Sequence, residues 1–199
     1  MRRHLIVFVR APQLGTGKRR LARDIGDIAA LRFERLMLQR LLRRLGPDKR
    51  WHLRLAVTPD KARHQIRHWH RRVQTTGQGK GDLGSRMLRA LRAGRPGPVA
   101  LVGADIPALC GRHITAAFSL LGRHDLVFGP AEDGGFWLVG ARHPRHLPHL
   151  FQRVRWSSPH ALADTLAGIP RRLAVGFADR LADVDDNEAY RRLAPKRGF

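Results

Sequence analysis

The chain has 199 residues, 43% of them hydrophobic, which suits one folded domain spanning residues 1–199 and excludes a disordered polycation. No apolar run approaches the roughly 20 residues that a membrane helix needs. The formal charge is +22 and lopsided, with 25 Lys and Arg against 6 Asp and Glu in residues 1–99, a field that draws phosphates and polyanions.

Leu5–Val9 is apolar throughout and reads as a central strand covered on both sides. A loop over residues 10–17 follows, and a helix starts at Lys18. Asp27 is placed to cap a longer helix whose apolar face is Ile28, Leu31, Met37, Leu38, Leu41, Leu42 and Leu45. Trp51–Val57 alternates as a second strand, a helix runs from Asp60 to about Trp69, and a short strand lies near Arg72–Thr75. A glycine loop over 77–84 precedes a helix lined by Met87, Leu88 and Leu91. Val99–Val102 is another buried strand, and a helix over Gly111–Leu121 turns Ile114, Phe118 and Leu121 inward. Strands at Asp125–Phe128 and Phe136–Val139, a helix near Pro159–Ala167, a strand near Leu173–Phe177 and a last helix from Asn187 complete the reading. Strands alternating with helices, without a linker or repeat, predict one mostly parallel sheet with helices on both faces. Ligands of such sheets bind beyond the C-terminal ends of the strands, where the polar clusters of this chain fall.

Several features have bland readings. Cys110, the single cysteine, excludes an intrachain disulfide or thiolate-rich zinc site and reads as a half-buried thiol. His64, His68 and His70 lie in a Lys/Arg-rich segment and read as surface histidines. The basic stretch Met1–Arg23 superficially looks like a transit peptide, but a buried strand inside it favours a cytoplasmic protein without a cleaved leader. Basic residues are spread over helices and aromatics form no stacking platform, so neither a specific nucleic-acid partner nor a membrane is expected.

Gly15, Thr16, Gly17 and Lys18 look like the end of a Walker A loop, yet Pro12 and Arg19 occupy positions that motif reserves for Gly and Ser/Thr. What remains is a glycine-bearing loop with Lys18, Arg19 and Arg20 at its exit. Glycine lets backbone amides approach an anion and the cations add charge; the alternative is a turn with solvated basic residues. Asp105, just after a buried strand beside Gly103, could hold a divalent cation or cap a helix. Asp133, Gly134 and Gly135 suggest close approach of a ribose, sugar or acceptor, with Asp133 as hydroxyl acceptor or base, or else a tight turn.

Arg10, Ala11 and Pro12, then Gly15, Lys18, Arg20 and Leu21, resemble the opening loop of DUF2064, a family of uncharacterised bacterial transferases. That family is related to nucleotidyltransferases making molybdopterin dinucleotides and phospholactate guanylyl adducts. Further matches are Gly81, Asp82 and Gly84 with Arg86; residues 102–107; residues 129–136; Trp156 and Ser157; and Asp183 to Asp185. The resemblance implies a GT-A fold, the nucleotide-diphospho-sugar transferase architecture: a three-layer αβα sandwich with a mostly parallel mixed sheet. It implies Mg²⁺ or Mn²⁺ held by Asp105 and Asp185, with Asp183 as the alternative second ligand. It gives Ala11, Pro12, Gly15, Lys18, Arg20, Gly81, Asp82, Gly84, Arg86 and Gly103 to the nucleotide, and Asp133, Gly134, Gly135, Trp156 and Ser157 to sugar or acceptor. Asp133 and Asp105 are the expected catalytic residues. Asp82 and Arg86 could instead form a local salt link. Ala104, Ala108, Arg19 and Asp186 depart from the family pattern.

These residues predict a metal-dependent transferase joining a nucleotide or nucleotide-sugar substrate with a small-molecule acceptor, as a monomer or small homo-oligomer. Glycosyl transfer from a nucleotide sugar is the preferred chemistry. Nucleotidyl transfer from an NTP onto a phosphorylated acceptor, releasing pyrophosphate, is the alternative. A third reading is a non-catalytic nucleic-acid-binding protein on the same scaffold.

Overall fold

A computed structural model describes residues 2–67, 73–93, 96–184, 187, 190 and 191. Its elements in chain order are β1 (His4–Arg10), α1 (Arg19–Ile25), α2 (Asp27–Leu45), β2 (His52–Thr58), α3 (Arg63–Arg67), β3 (Gln74–Gly77), α4 (Leu83–Arg92), β4 (Val99–Gly103), α5 (Gly111–Leu120), β5 (Leu126–Pro130), β6 (Phe136–Ala141), α6 (Ala161–Ala167) and β7 (Val175–Phe177). The seven strands form one sheet in the order β3-β2-β1-β4-β6-β5-β7. Only β6 runs against its neighbours β4 and β5; the remaining pairings are parallel.

Strand alternation explains the layers. Leu5, Val7 and Val9 pack on one face with Leu38, Leu41, Leu42 and Leu45 of α2 and Ile114, Ala117 and Phe118 of α5. Ile6 faces the opposite way, into Met87, Leu88 and Leu91 of α4 together with Leu150 and Phe151. An unbroken apolar run is therefore needed in β1, because both of its faces are covered. The result is the expected three-layer αβα sandwich with a mixed, mostly parallel sheet. No helix among the described residues is long and apolar enough to cross a membrane.

Two details of the first helical pair differ from expectation. Gly26 separates α1 from α2 and takes the cap position without a side-chain bond, so Asp27 is the first residue of α2, not its cap. Ile28 is exposed (63%), while Ala30 joins the buried face two turns before Met37. The segment after Asp60 is a 3₁₀ turn running into the five-residue α3; His68 and His70 lie outside the described residues, as does most of the expected last helix. Cys110 is half-buried, and its N–H donates to Nδ1 of the buried His113 at 3.2 Å, closing the start of α5.

Candidate active site

The strand ends of β1, β4 and β6 open into a cleft of about 700 Å³ lined by Pro12, Gly17, Lys18, Glu34, Gly103 and Asp105 among others. Lys18 is the residue that turns the loop inward. It caps α1 in the left-handed conformation (φ 37°, ψ 45°), a strained backbone for a non-glycine residue that elsewhere marks functional sites. Its ammonium lies 3.2 Å from Asp105 Oδ2, with the Lys18 side chain 9% exposed and that of Asp105 41%. Sequence positions 18 and 105 thus meet as a cation and an anion on opposite lips of the cleft.

Glycines of the loop serve different ends. Gly15 has φ 73° and open space around it, so it supplies the turn and lines none of the site cavities. Gly17 instead makes room: a Cβ there would overlap the carboxylate of Glu34. Glu34 was not read from the sequence as a site residue, although it is the one acid between Asp27 and Asp48 in a helix full of arginines.

A smaller cavity of about 190 Å³ adjoins the cleft through Gly103, Asp105, Phe136 and Trp137. Asp133, Gly135, Trp156, Ser157 and Asp183 line it as well. Its wall is aromatic, with Phe136 stacked on Phe151 at 6.3 Å and Trp156 tilted against Phe151 at 5.9 Å. A third recess joins Lys18, Arg19 and Arg20 to Asp133 and Ser157. One Asp133 oxygen accepts the Gly135 N–H at 2.8 Å and is committed to the turn. Gly134 has φ 84°, and a Cβ there would strike the Pro159 backbone, so the turn itself requires glycine.

Other expected nucleotide contacts lie away from these cavities. Ala11 is buried, its N–H on the Thr58 carbonyl at 2.8 Å. Gly84 is buried where a Cβ would meet Phe151, so its smallness lets α4 pack. Asp82 caps α4 by accepting the Ser85 N–H at 2.8 Å, and the Ser85 side chain first, then that backbone bond, hold its carboxyl below the usual range. The buried Trp156 indole Nε1 makes no hydrogen bond among the described residues. The proposed Asp82–Arg86 salt link is absent as a direct contact. Arg86 donates to the Asp82 backbone carbonyl (3.3 Å) and to Gln78 Oε1 (3.0 Å). Gln78, which the sequence reading passed over, is 2% exposed and donates to the carbonyls of Val9 (3.1 Å) and Ala56 (2.9 Å), tying the glycine loop of 77–84 to the ends of β1 and β2. Gly81 lines none of the cavities.

The chemistry of the donors decides whether a divalent cation fits. Among the described residues no group of three His, Cys, Asp or Glu gathers, and Asp185 lies outside them. Asp105 and Asp183 line one cavity, and the Val184 N–H bonds the Asp105 carbonyl at 3.3 Å. Two carboxylates suffice for Mg²⁺, which completes its shell with water and substrate phosphates. Asp105 and Asp183 are the described carboxylates that share the cavity where such an ion would be held, and one Asp105 oxygen faces the Lys18 ammonium.

Residues 41–158 match the model of the family described as "Uncharacterized protein conserved in bacteria (DUF2064)". The chain belongs to this family. No curated protein matches it. Among solved structures it is similar to a Desulfovibrio desulfuricans protein provisionally named a nucleotide-diphospho-sugar transferase: 28% identity over 94% of this chain and 84% of that one, with a TM-score of 0.86. The 4-diphosphocytidyl-2C-methyl-D-erythritol synthase of Anaerococcus prevotii shares the fold at 12% identity, TM-score 0.63, covering 96% of each chain. So does the manganese complex of Rv0371c from Mycobacterium tuberculosis, at 14% identity and TM-score 0.57, covering 97% of this chain and 98% of that one. Family and fold make the chain a GT-A-like transferase.

Proposed function

We propose that this DUF2064 transferase is a nucleotidyltransferase acting on an NTP and a phosphorylated small molecule. A phosphate oxygen of the acceptor attacks the α-phosphorus, the bond from that phosphorus to the bridging oxygen breaks, and pyrophosphate leaves with the electron pair. The observation that carries this reading is the run Lys18, Arg19 and Arg20 along the cleft and its side recess, with Lys18 set against Asp105. Three adjacent cations match the charge of a departing pyrophosphate; a nucleotide sugar would set a neutral ring where its donor phosphates end. In this scheme Lys18, Arg19 and Arg20 hold the β- and γ-phosphates, and Asp133, Ser157 and Trp156 orient the acceptor in the smaller cavity. Bound at Asp105 and Asp183, Mg²⁺ or Mn²⁺ would neutralise phosphate charge and polarise the reacting phosphoryl group. A cleft of about 700 Å³ is ample for a nucleotide.

Glycosyl transfer, the preference from sequence, remains the second reading. It is favoured by the Trp156 side chain on the acceptor cavity, a surface on which a sugar ring can pack. The two part on products. With each of the four NTPs, Mn²⁺ and a metabolite extract, chromatography should show acceptor-dependent pyrophosphate. Nucleoside diphosphate released from nucleotide sugars, with no pyrophosphate from NTPs, would overturn the nucleotidyl assignment.

A further inference from the structure

The opposite end of the sheet carries a second polar cavity of about 440 Å³, with Arg2, His4, His52, Arg54, Gln74 and Ala93 in its walls. It sits at the starts of β1, β2 and β3, whereas the candidate active site sits at the opposite end of β1. The seven residues of β1 put about 20 Å between the two. Among the described residues no carboxylate lines it.

Each of its polar side chains carries at least one donor. His4 and His52 are register partners across β1 and β2, and their rings stack at 5.8 Å with 27° between planes. Arg54 reaches under α4 and donates to the carbonyls of Ala90 (2.9 Å) and Ala93 (3.4 Å). Burial lowers its pKa, and no acid acts in the other direction. The carbonyl end of α4 offsets part of the cost of burying this cation, but a carbonyl is not a counter-ion, and among the described residues no carboxylate pairs with this half-buried guanidinium. Arg2 adds a second guanidinium at the rim.

We propose that this cavity is a second anion site that binds a small phosphate-bearing molecule, separate from the nucleotide cleft. Arg2 supplies a planar pair of N–H donors matched to a tetrahedral oxyanion, Arg54 adds its charge and the N–H groups not taken by Ala90 and Ala93, and the imidazoles and the Gln74 amide bind the remaining oxygens.

Inorganic phosphate is the probe, titrated at fixed pH and at ionic strength matched with NaCl, so that the general +22 field is screened equally throughout. Imidazole NMR signals of His4 and His52 should move saturably in the wild type and equally in Lys18→Ala. Arg20→Ala serves the same purpose should Lys18→Ala not fold. The double variant Arg2→Ala/His52→Ala changes two exposed residues and should weaken the response about tenfold or more, equivalent to one 1.4 kcal/mol step. Unmoved histidine signals at millimolar phosphate would overturn the proposal. So would a response reproduced by NaCl, one abolished by Lys18→Ala or Arg20→Ala, or one that survives the double variant.

Discussion

Gln78→Leu removes the side chain that fastens the glycine loop to the sheet while keeping nearly the same volume, so no cavity term enters. The substitution strips donors from the Val9 and Ala56 carbonyls and an acceptor from Arg86. Each carbonyl bond is worth about 1 kcal/mol, and the half-exposed Arg86 contact adds at most about the same, since its guanidinium can turn to water. The sum is a loss of about 2–3 kcal/mol. For a domain of this size that lowers the melting temperature by roughly 4–12 °C. Thermal denaturation followed by far-UV circular dichroism measures it. Nucleotide affinity should also fall, because Val9 leads directly into the Lys18 loop. A melting temperature within about 2 °C of wild type would refute the claim that Gln78 is the tie.

Gly134→Ala should destabilise the fold by more than the roughly 1–2 kcal/mol of a left-handed backbone alone, because its Cβ would strike Pro159 as well; melts that match wild type would contradict this. Asp82→Ala should cost about 1 kcal/mol through loss of the α4 cap. The folded carboxyl lies below its ordinary value of 3.8, so its contribution is complete above that pH and lost as pH falls through the lower folded value. The stability gap between wild type and Asp82→Ala should therefore close in acid; a gap that widened below pH 3.8 would refute the cap.

The fold was legible locally. An apolar run at Leu5–Val9, strand–helix alternation and polar residues just past strand ends depend on neighbours in the chain, and they lead to the sheet and to the edge where Lys18 and Asp105 lie. Much of the rest depends on packing and on competing partners. Phe151 and Pro159 fill the space beside Gly84 and Gly134, so packing alone requires glycine at both positions. Asp82 and Arg86 have the spacing of a salt link, but the backbone N–H of Ser85 captures the carboxylate first. Gln78 sits between two glycines with nothing to distinguish it from a solvated loop residue, and its partners are 22 and 69 positions away. Ile28 satisfies the helical period of α2 but lies at its N-terminal end, where the apolar face has not yet reached the sheet.

The central claim is that Lys18 and Asp105 face one nucleotide. Calorimetric titration of ATP, CTP, GTP and UTP into wild type, Lys18→Ala and Asp105→Asn, with and without Mn²⁺, tests it most directly. Lys18→Ala should weaken metal-free binding of the preferred NTP by roughly 10- to 100-fold, the worth of one charge-assisted phosphate contact. Asp105→Asn should leave metal-free binding in place and abolish its strengthening by Mn²⁺. Folded variants that bind every NTP as the wild type does, with the same response to Mn²⁺, would contradict the account.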